Sequence, residues 1–142
     1  MKSEEYTFSS PEATGQFACN LGKHAAAGSC YALIGDLGCG KTLFSKSFAR
    51  GMGINEEITS PTFTLLEEYE GTPPLYHFDL YRIADPDELD MLFFEEYWEG
   101  DGVSLIEWAD RAGSRLPDST VRIYFEYIDP ETRKVRIEYP DD

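Results

Sequence analysis

Gly35-Asp36-Leu37-Gly38-Cys39-Gly40-Lys41-Thr42 is the stretch on which the reading of this chain turns. It matches G-x-x-x-x-G-K-[S/T], the pattern of a phosphate-binding loop. In such a loop the backbone N–H groups point inward and cradle an anion. Glycines let the chain turn tightly and approach that anion closely. Lys41 would reach the β/γ-phosphates, and the Thr42 hydroxyl would ligate Mg²⁺. Chance produces such a match in roughly one chain in 200 of this length at average composition, so the flanks decide its meaning. Before it, Ser29-Cys30-Tyr31-Ala32-Leu33-Ile34 is a near-continuous apolar run, the mark of a buried parallel strand. After it, Phe44 and Phe48 fall on one helical face, and Gly51 is a plausible helix stop. Strand, glycine loop and helix together are the context the motif requires.

Composition sets the frame. The chain has 142 residues, 42 % of them hydrophobic and 14 % aromatic, enough for one domain around one core. We expect residues 1–142 to form a single domain built on the phosphate loop. No apolar run approaches the roughly 20 residues of a membrane span. The N-terminal Met1-Lys2-Ser3-Glu4-Glu5 has no basic region followed by an apolar one, so a cytoplasmic protein is expected. Cys19, Cys30 and Cys39 are odd in number and lack metal-ligand spacing, which points to reduced thiols. The net charge is −15, with acids clustered at Glu67-Glu68-Glu70, Glu95-Glu96-Glu99-Asp101 and Asp141-Asp142. A protein that grips nucleic acid normally shows a basic patch, so direct nucleic-acid binding is disfavoured. The acids suit a solvated surface or a face that meets a basic partner protein.

Outward from the loop, the pattern is mixed. Tyr6-Thr7-Phe8 suits a short first strand. Ser9 and Glu12 have capping-box spacing, and Pro11 suits a first helical turn. Thr14, Phe17, Ala18, Leu21 and Ala25 recur at helical steps, and Gly28 ends that helix. Thr62–Leu66 and Leu75–Leu80 read as two strands whose short Gly-Thr-Pro-Pro join makes them antiparallel. Asp85 caps a helix that buries Leu89, Leu92 and Phe93. Val103–Ile106 is a further buried strand. Val121–Tyr127 and Val135–Tyr139 form a closing hairpin turned by Asp129-Pro130-Glu131-Thr132. The expected fold class is α/β, a P-loop NTPase-like three-layer fold whose mixed central sheet includes antiparallel strands.

A phosphate loop alone hydrolyses nothing; it needs a metal carboxylate and a group that orients water. Asp79 and Glu107 each end an apolar strand, where open α/β sheets bind ligands. Two acids in those places suit a Mg²⁺ site. In Ser60-Pro61-Thr62, Pro61 biases Ser60 toward extended geometry, and a threonine there can sense the γ-phosphate and Mg²⁺. An ordinary turn also explains that tripeptide.

Four segments occur in order: Gly-Asp-Leu-Gly-Cys-Gly-Lys-Thr (35–42), Ser-Pro-Thr-Phe-Thr-Leu (60–65), His-Phe-Asp-Leu-Tyr-Arg (77–82) and Leu-Ile-Glu-Trp (105–108). With them the chain resembles the TsaE family (also called YjeE), small bacterial ATPases of tRNA modification, from about Thr14 to Tyr139. The resemblance implies an Mg²⁺-dependent ATPase that works with the TsaB and TsaD proteins in making N6-threonylcarbamoyladenosine in tRNAs reading codons that begin with A. TsaD carries out the transfer, and tRNA is met only through the partners. It also implies site roles. Asp36, Gly38, Cys39, Gly40, Lys41, Thr42 and Leu43 form the nucleotide-binding stretch, with Arg133 in the last hairpin turn. Lys41, Thr62, Asp79 and Glu107 are the catalytic set, and Thr42, Glu107 and Asp79 the metal set. Which of Asp79 and Glu107 binds metal directly stays open. So does Trp108, between core packing and a nucleotide-side or partner-side role, and Arg82, between charge stabilisation and an ion pair within the fold. The family commonly has Ala at Cys39 and often Thr at Leu43. A Cys39 thiol beside a helix N-terminus would be reactive, and Leu43 should affect only packing.

Three other functions are weighed against this one. A small GTPase would carry Asn-Lys-x-Asp, which is absent. A nucleoside or shikimate-type kinase would carry a basic lid, for which Arg111 and Arg115 are a thin substitute. A nucleotide-sensing adaptor would bind without turnover.

Overall fold

The computed structural model describes residues 2–35, 41–56, 58, 65–89 and 94–140. Its strands are β1 (Lys2–Phe8), β2 (Cys30–Ile34), β3 (Leu66–Tyr69), β4 (Leu75–Asp79), β5 (Val103–Glu107), β6 (Val121–Tyr127) and β7 (Arg133–Tyr139). Its helices are α1 (Pro11–Lys23), α2 (Lys41–Gly51), α3 (Phe94–Trp98) and a 3₁₀ segment, Ala109–Arg115. The strands form one sheet in the order β1-β7-β6-β2-β5-β4-β3. β6, β2, β5 and β4 run parallel. β3 and β7 are antiparallel to their neighbours, so the sheet is mixed as expected.

Alternation along each strand sends side chains to opposite faces. Tyr31 and Leu33 of β2, Leu105 of β5 and Leu75 of β4 pack with Ala18 of α1 and with Phe44 and Phe48 of α2. Cys30, Ala32, Ile106 and Phe78 go the other way, onto Phe94 and Trp98 of α3 and Ala109 and Ala112 of the 3₁₀ segment. The result is three layers, two helical and one of sheet. β2 and β5 are buried on both faces, which explains their largely apolar sequences.

α1 and α2 touch backbone to backbone. A Cβ on Gly22 would lie 2.1 Å from the Phe48 carbonyl oxygen, and one on Gly51 would lie 2.0 Å from that of Cys19. Gly51 therefore does more than stop a helix: it admits its neighbour. No helix among the described residues is long and apolar enough to cross a membrane.

The structure moves several boundaries. β1 is longer than Tyr6–Phe8, because pairing with β7 along Lys2–Phe8 holds even its polar residues. The cap of α1 is Ser10, not Ser9: the Ser10 hydroxyl accepts from the Ala13 N–H at 3.1 Å, and Pro11 follows as the first helical residue. α1 ends at Lys23 rather than Gly28, which instead takes φ +88° in the turn before β2. β3 starts at Leu66, after a left-handed Leu65 (φ 65°). Thr62–Thr64 lie outside the described residues, as do Leu92 and Phe93. Asp85 makes a capping turn, while residues 90–93 of the helix expected after it lie outside the described residues. The Asp85 carboxylate accepts from the Asp87 N–H, and Glu88 reaches back to the N–H groups of Ala84 and Asp85.

Candidate nucleotide-binding site

Because β2, β5 and β4 are parallel, their C-terminal ends lie at one sheet edge. Leu33 pairs with Glu107, and Glu107 with Asp79, so both acids stand level with the end of the strand that leads into the glycine loop. Strand spacing of about 4.8 Å puts Glu107 one strand from β2 and Asp79 two. Alternation sends Leu105 and Leu75 to the α2 side, and therefore Glu107, His77 and Asp79 as well. The two acids thus share the edge and the face on which α2 begins.

Glu107 is 3 % exposed and closely held. Its Oε2 accepts from the His77 ring Nε2 at 2.5 Å and from the Ser45 hydroxyl of α2 at 3.3 Å. The Ser45 hydroxyl has one proton and shares it with the Lys41 carbonyl oxygen, which is nearer at 3.0 Å. Oε1 takes no hydrogen bond from a described residue. Asp79 is half-buried, and its Oδ1 accepts from the Tyr81 N–H at 3.0 Å, which shapes the turn after β4.

Lys41, the first residue of α2, is buried at 5 % exposure. Its ammonium donates to the Gly35 carbonyl at 2.6 Å and sits 3.6 Å from the centroid of the Trp108 ring. Trp108 directly follows β5 in a left-handed conformation (φ 57°, ψ 40°). A non-glycine residue there costs about 1–3 kcal/mol and persists only where its surroundings hold it. Tyr81 holds it from one side, its ring centroid 4.8 Å away, and the Arg111 guanidinium lies 5.9 Å from the indole centroid. Trp108 is therefore half-buried over the lysine, with its backbone set by strain and stacking. Trp108 thus packs against the core cluster that holds Phe78 and Ile106 and also covers Lys41.

Thr42 is exposed in the first turn of α2, and Leu43 is 39 % exposed at a groove between α1 and α2. Arg133 begins β7, beyond the level of Ile34 on the same sheet edge, because Ile34 pairs with Tyr124 and Tyr127 with Arg133. Its guanidinium donates to the Asp129 and Thr132 carbonyls and lies over the Tyr127 ring. Arg82 is exposed beyond β4. Asp36, Gly38, Cys39, Gly40 and Thr62 lie outside the described residues. Arg111 lies over Tyr81 and Trp108, and Arg115 pairs with Asp87. Among the described residues no three His, Cys, Asp or Glu side chains converge on a metal position. A cation here would be held by a carboxylate or two together with ligand and water oxygens.

The family model for the threonylcarbamoyl adenosine biosynthesis protein TsaE matches residues 8–135. The chain belongs to the TsaE family. The Bacillus subtilis tRNA threonylcarbamoyladenosine biosynthesis protein TsaE is 40 % identical over 136 residues, covering 95 % of this chain and 85 % of its own length. The Treponema pallidum TsaE is 41 % identical over 128 residues, covering 90 % and 95 %. The crystal structure of Bacillus subtilis YdiB superposes with a TM-score of 0.80 at 35 % identity, over 99 % of this chain and 87 % of that one. Membership of TsaE places the chain in threonylcarbamoyladenosine biosynthesis of tRNA and agrees with the mixed α/β architecture.

Sequence reasoning missed His77 and Ser45, the two donors on Glu107. His77 carried a signal: a polar residue at an inward position of an apolar strand, two residues before Asp79 and so on the same face. Ser45 carried none, because a serine in a helix has many ordinary uses.

Proposed function

We propose that this chain is an Mg²⁺-dependent ATP hydrolase that supports formation of N6-threonylcarbamoyladenosine in tRNAs reading codons that begin with A. In this reading it acts in the cytoplasm with the TsaB and TsaD proteins and meets tRNA only through them. The observation that carries it is the register of β2, β5 and β4. It sets Glu107 and Asp79 level with each other on the edge and face where Lys41 opens α2. Mg²⁺ prefers oxygen donors and keeps several waters, using one or two carboxylates plus phosphates. Glu107 Oε1, which takes no hydrogen bond from a described residue, and the exposed Thr42 hydroxyl suit such a site, with Asp79 as the second carboxylate. Held by these groups, a Mg²⁺ ion would supply charge neutralisation to the phosphates.

The chain's own residues do the rest. The Lys41 ammonium balances β/γ-phosphate charge from a water-poor position beneath Trp108. The Gly35 carbonyl and the Trp108 face fix its direction, so little reorganisation is needed. Asp79 orients the attacking water or holds metal through one, and Thr62 senses the γ-phosphate. The α2 N-terminus adds its partial positive charge.

Phosphate release with ATP against GTP, with and without TsaB and TsaD, tests the activity. Hydrolysis of ATP that rises with the partners is expected; binding without turnover would favour an adaptor. Depletion of the protein followed by nucleoside analysis of bulk tRNA tests the pathway. Unchanged threonylcarbamoyladenosine would refute it.

A further inference from the structure

We propose that His77 is a positioning residue for Glu107: it fixes the carboxylate so that one oxygen is spent within the protein and the other is presented to the metal. This rests on the Mg²⁺-ATPase reading above and assigns a role to a residue that the reading leaves unused.

His77 is fully buried in the middle of β4. Its Nε2 is committed to Glu107 Oε2 at 2.5 Å, while Nδ1 is buried with no hydrogen-bond partner among the described residues. A buried polar atom without a partner is a cost to folding. An apolar side chain of similar size would fill the same space without it. What histidine adds is the donor on Glu107.

The geometry around that donor is one-sided. Both described donors, His77 Nε2 and Ser45 Oγ, converge on the same oxygen. They come from different layers, His77 from the sheet and Ser45 from α2. A glutamate has several rotatable bonds, and two donors on Oε2 remove most of that freedom before any ligand arrives. Outer partners of this kind orient a ligating carboxylate, and their removal typically weakens metal affinity about 10–100-fold. Ser45 lies four residues after Lys41 and also touches its carbonyl. The carboxylate is thereby tied to the helix that carries the phosphate-binding lysine.

The test compares wild type with His77→Leu, His77→Gln and His77→Asn. Affinity for a fluorescent ATP analogue is measured in EDTA and across a Mg²⁺ titration, beside phosphate release and thermal melting. For His77→Leu we expect unchanged metal-free nucleotide affinity and a Mg²⁺ midpoint raised about 10–100-fold in both binding and hydrolysis. His77→Gln can place an amide N–H where Nε2 was and should restore the midpoint. His77→Asn is a bond too short and should not. In a Glu107→Gln background, His77→Leu should cause no further change in Mg²⁺ dependence. If His77→Leu does not fold, the contrast between Gln and Asn carries the test. A lower melting temperature with wild-type Mg²⁺ dependence in the Leu or Asn variant would mean that His77 only packs, and would overturn the proposal. A wild type with no Mg²⁺ dependence at all would overturn the ATPase reading and this proposal with it.

Discussion

Replacing Glu107 by Gln should sharply reduce hydrolysis while leaving the fold almost as stable as before. The carboxylate is 3 % exposed and takes two hydrogen bonds on Oε2. Bonds to a charged acceptor contribute about 1.5–3 kcal/mol each, against roughly 1 for neutral ones, so the amide loses a few kcal/mol there. Burying an ionised carboxylate costs several kcal/mol, and the amide escapes that cost. The two changes oppose each other and are of similar size, so the net effect should be within about 1–2 kcal/mol. At about 4 °C per kcal/mol for a chain of this size, the melting temperature should move by less than about 8 °C. Glu107→Ala differs. It leaves the His77 Nε2 facing a cavity without its partner, while Ser45 keeps the Lys41 carbonyl, and should be less stable than the Gln variant by about 2–5 kcal/mol. Catalysis should separate from stability. A metal carboxylate supplies several kcal/mol of transition-state stabilisation, so both variants should lose at least about 100-fold in turnover. Metal-free nucleotide affinity should be largely kept. Calorimetric or fluorescence melting, single-turnover phosphate release and nucleotide titration in EDTA give the three readings. Wild-type turnover in the Gln variant would refute the metal role. Equal melting temperatures for Ala and Gln would refute the buried three-residue contact.

Lys41→Ala should weaken ATP binding at least about 30-fold, since truncating one partner of a buried charge pair costs 2–5 kcal/mol; equilibrium titration checks it. Gly22→Ala should destabilise by about 1–3 kcal/mol through overpacking, although alanine is the better helix former, because its Cβ would fall 2.1 Å from the Phe48 carbonyl oxygen. A rise in melting temperature would show that α1 and α2 do not touch there. Burial pushes the Cys30 thiol up to about 11 from 9.0, so the buried form is the neutral one. The resulting stability is fully present below about pH 9 and is lost as pH rises toward 11; Cys30→Ala should flatten that part of the curve. In a Cys39→Ala background at pH 8, a thiol reagent should reach Cys19 but not Cys30 until the protein unfolds. The purified chain, at net charge −15, should show no tight tRNA binding at physiological salt by filter binding.

Much of this protein is local physics and therefore legible in one dimension. The glycine loop, its apolar strand and the Phe44/Phe48 helix face mark a candidate nucleotide site, because loop geometry and helical period are set by neighbours in sequence. Asp79 and Glu107 could be picked out as acids ending apolar strands. The β6–β7 hairpin could be read from its turn. What the sequence could not rank was contact between elements. Ser10 in place of Ser9 as the cap of α1 depends on where β1 lets go. The order β6-β2-β5-β4 alone brings Glu107 beside Asp79 and level with Leu33. The same register seats His77 and Ser45 on one oxygen of Glu107, though 62 residues separate Ser45 from its partner. It also sets Trp108 over Lys41 through a left-handed backbone that no residue pattern encodes. By itself the sequence determined which chemistry is available. The tertiary structure decided which groups meet, because hydrogen bonds and packing act over a few ångströms of space, whatever the separation along the chain.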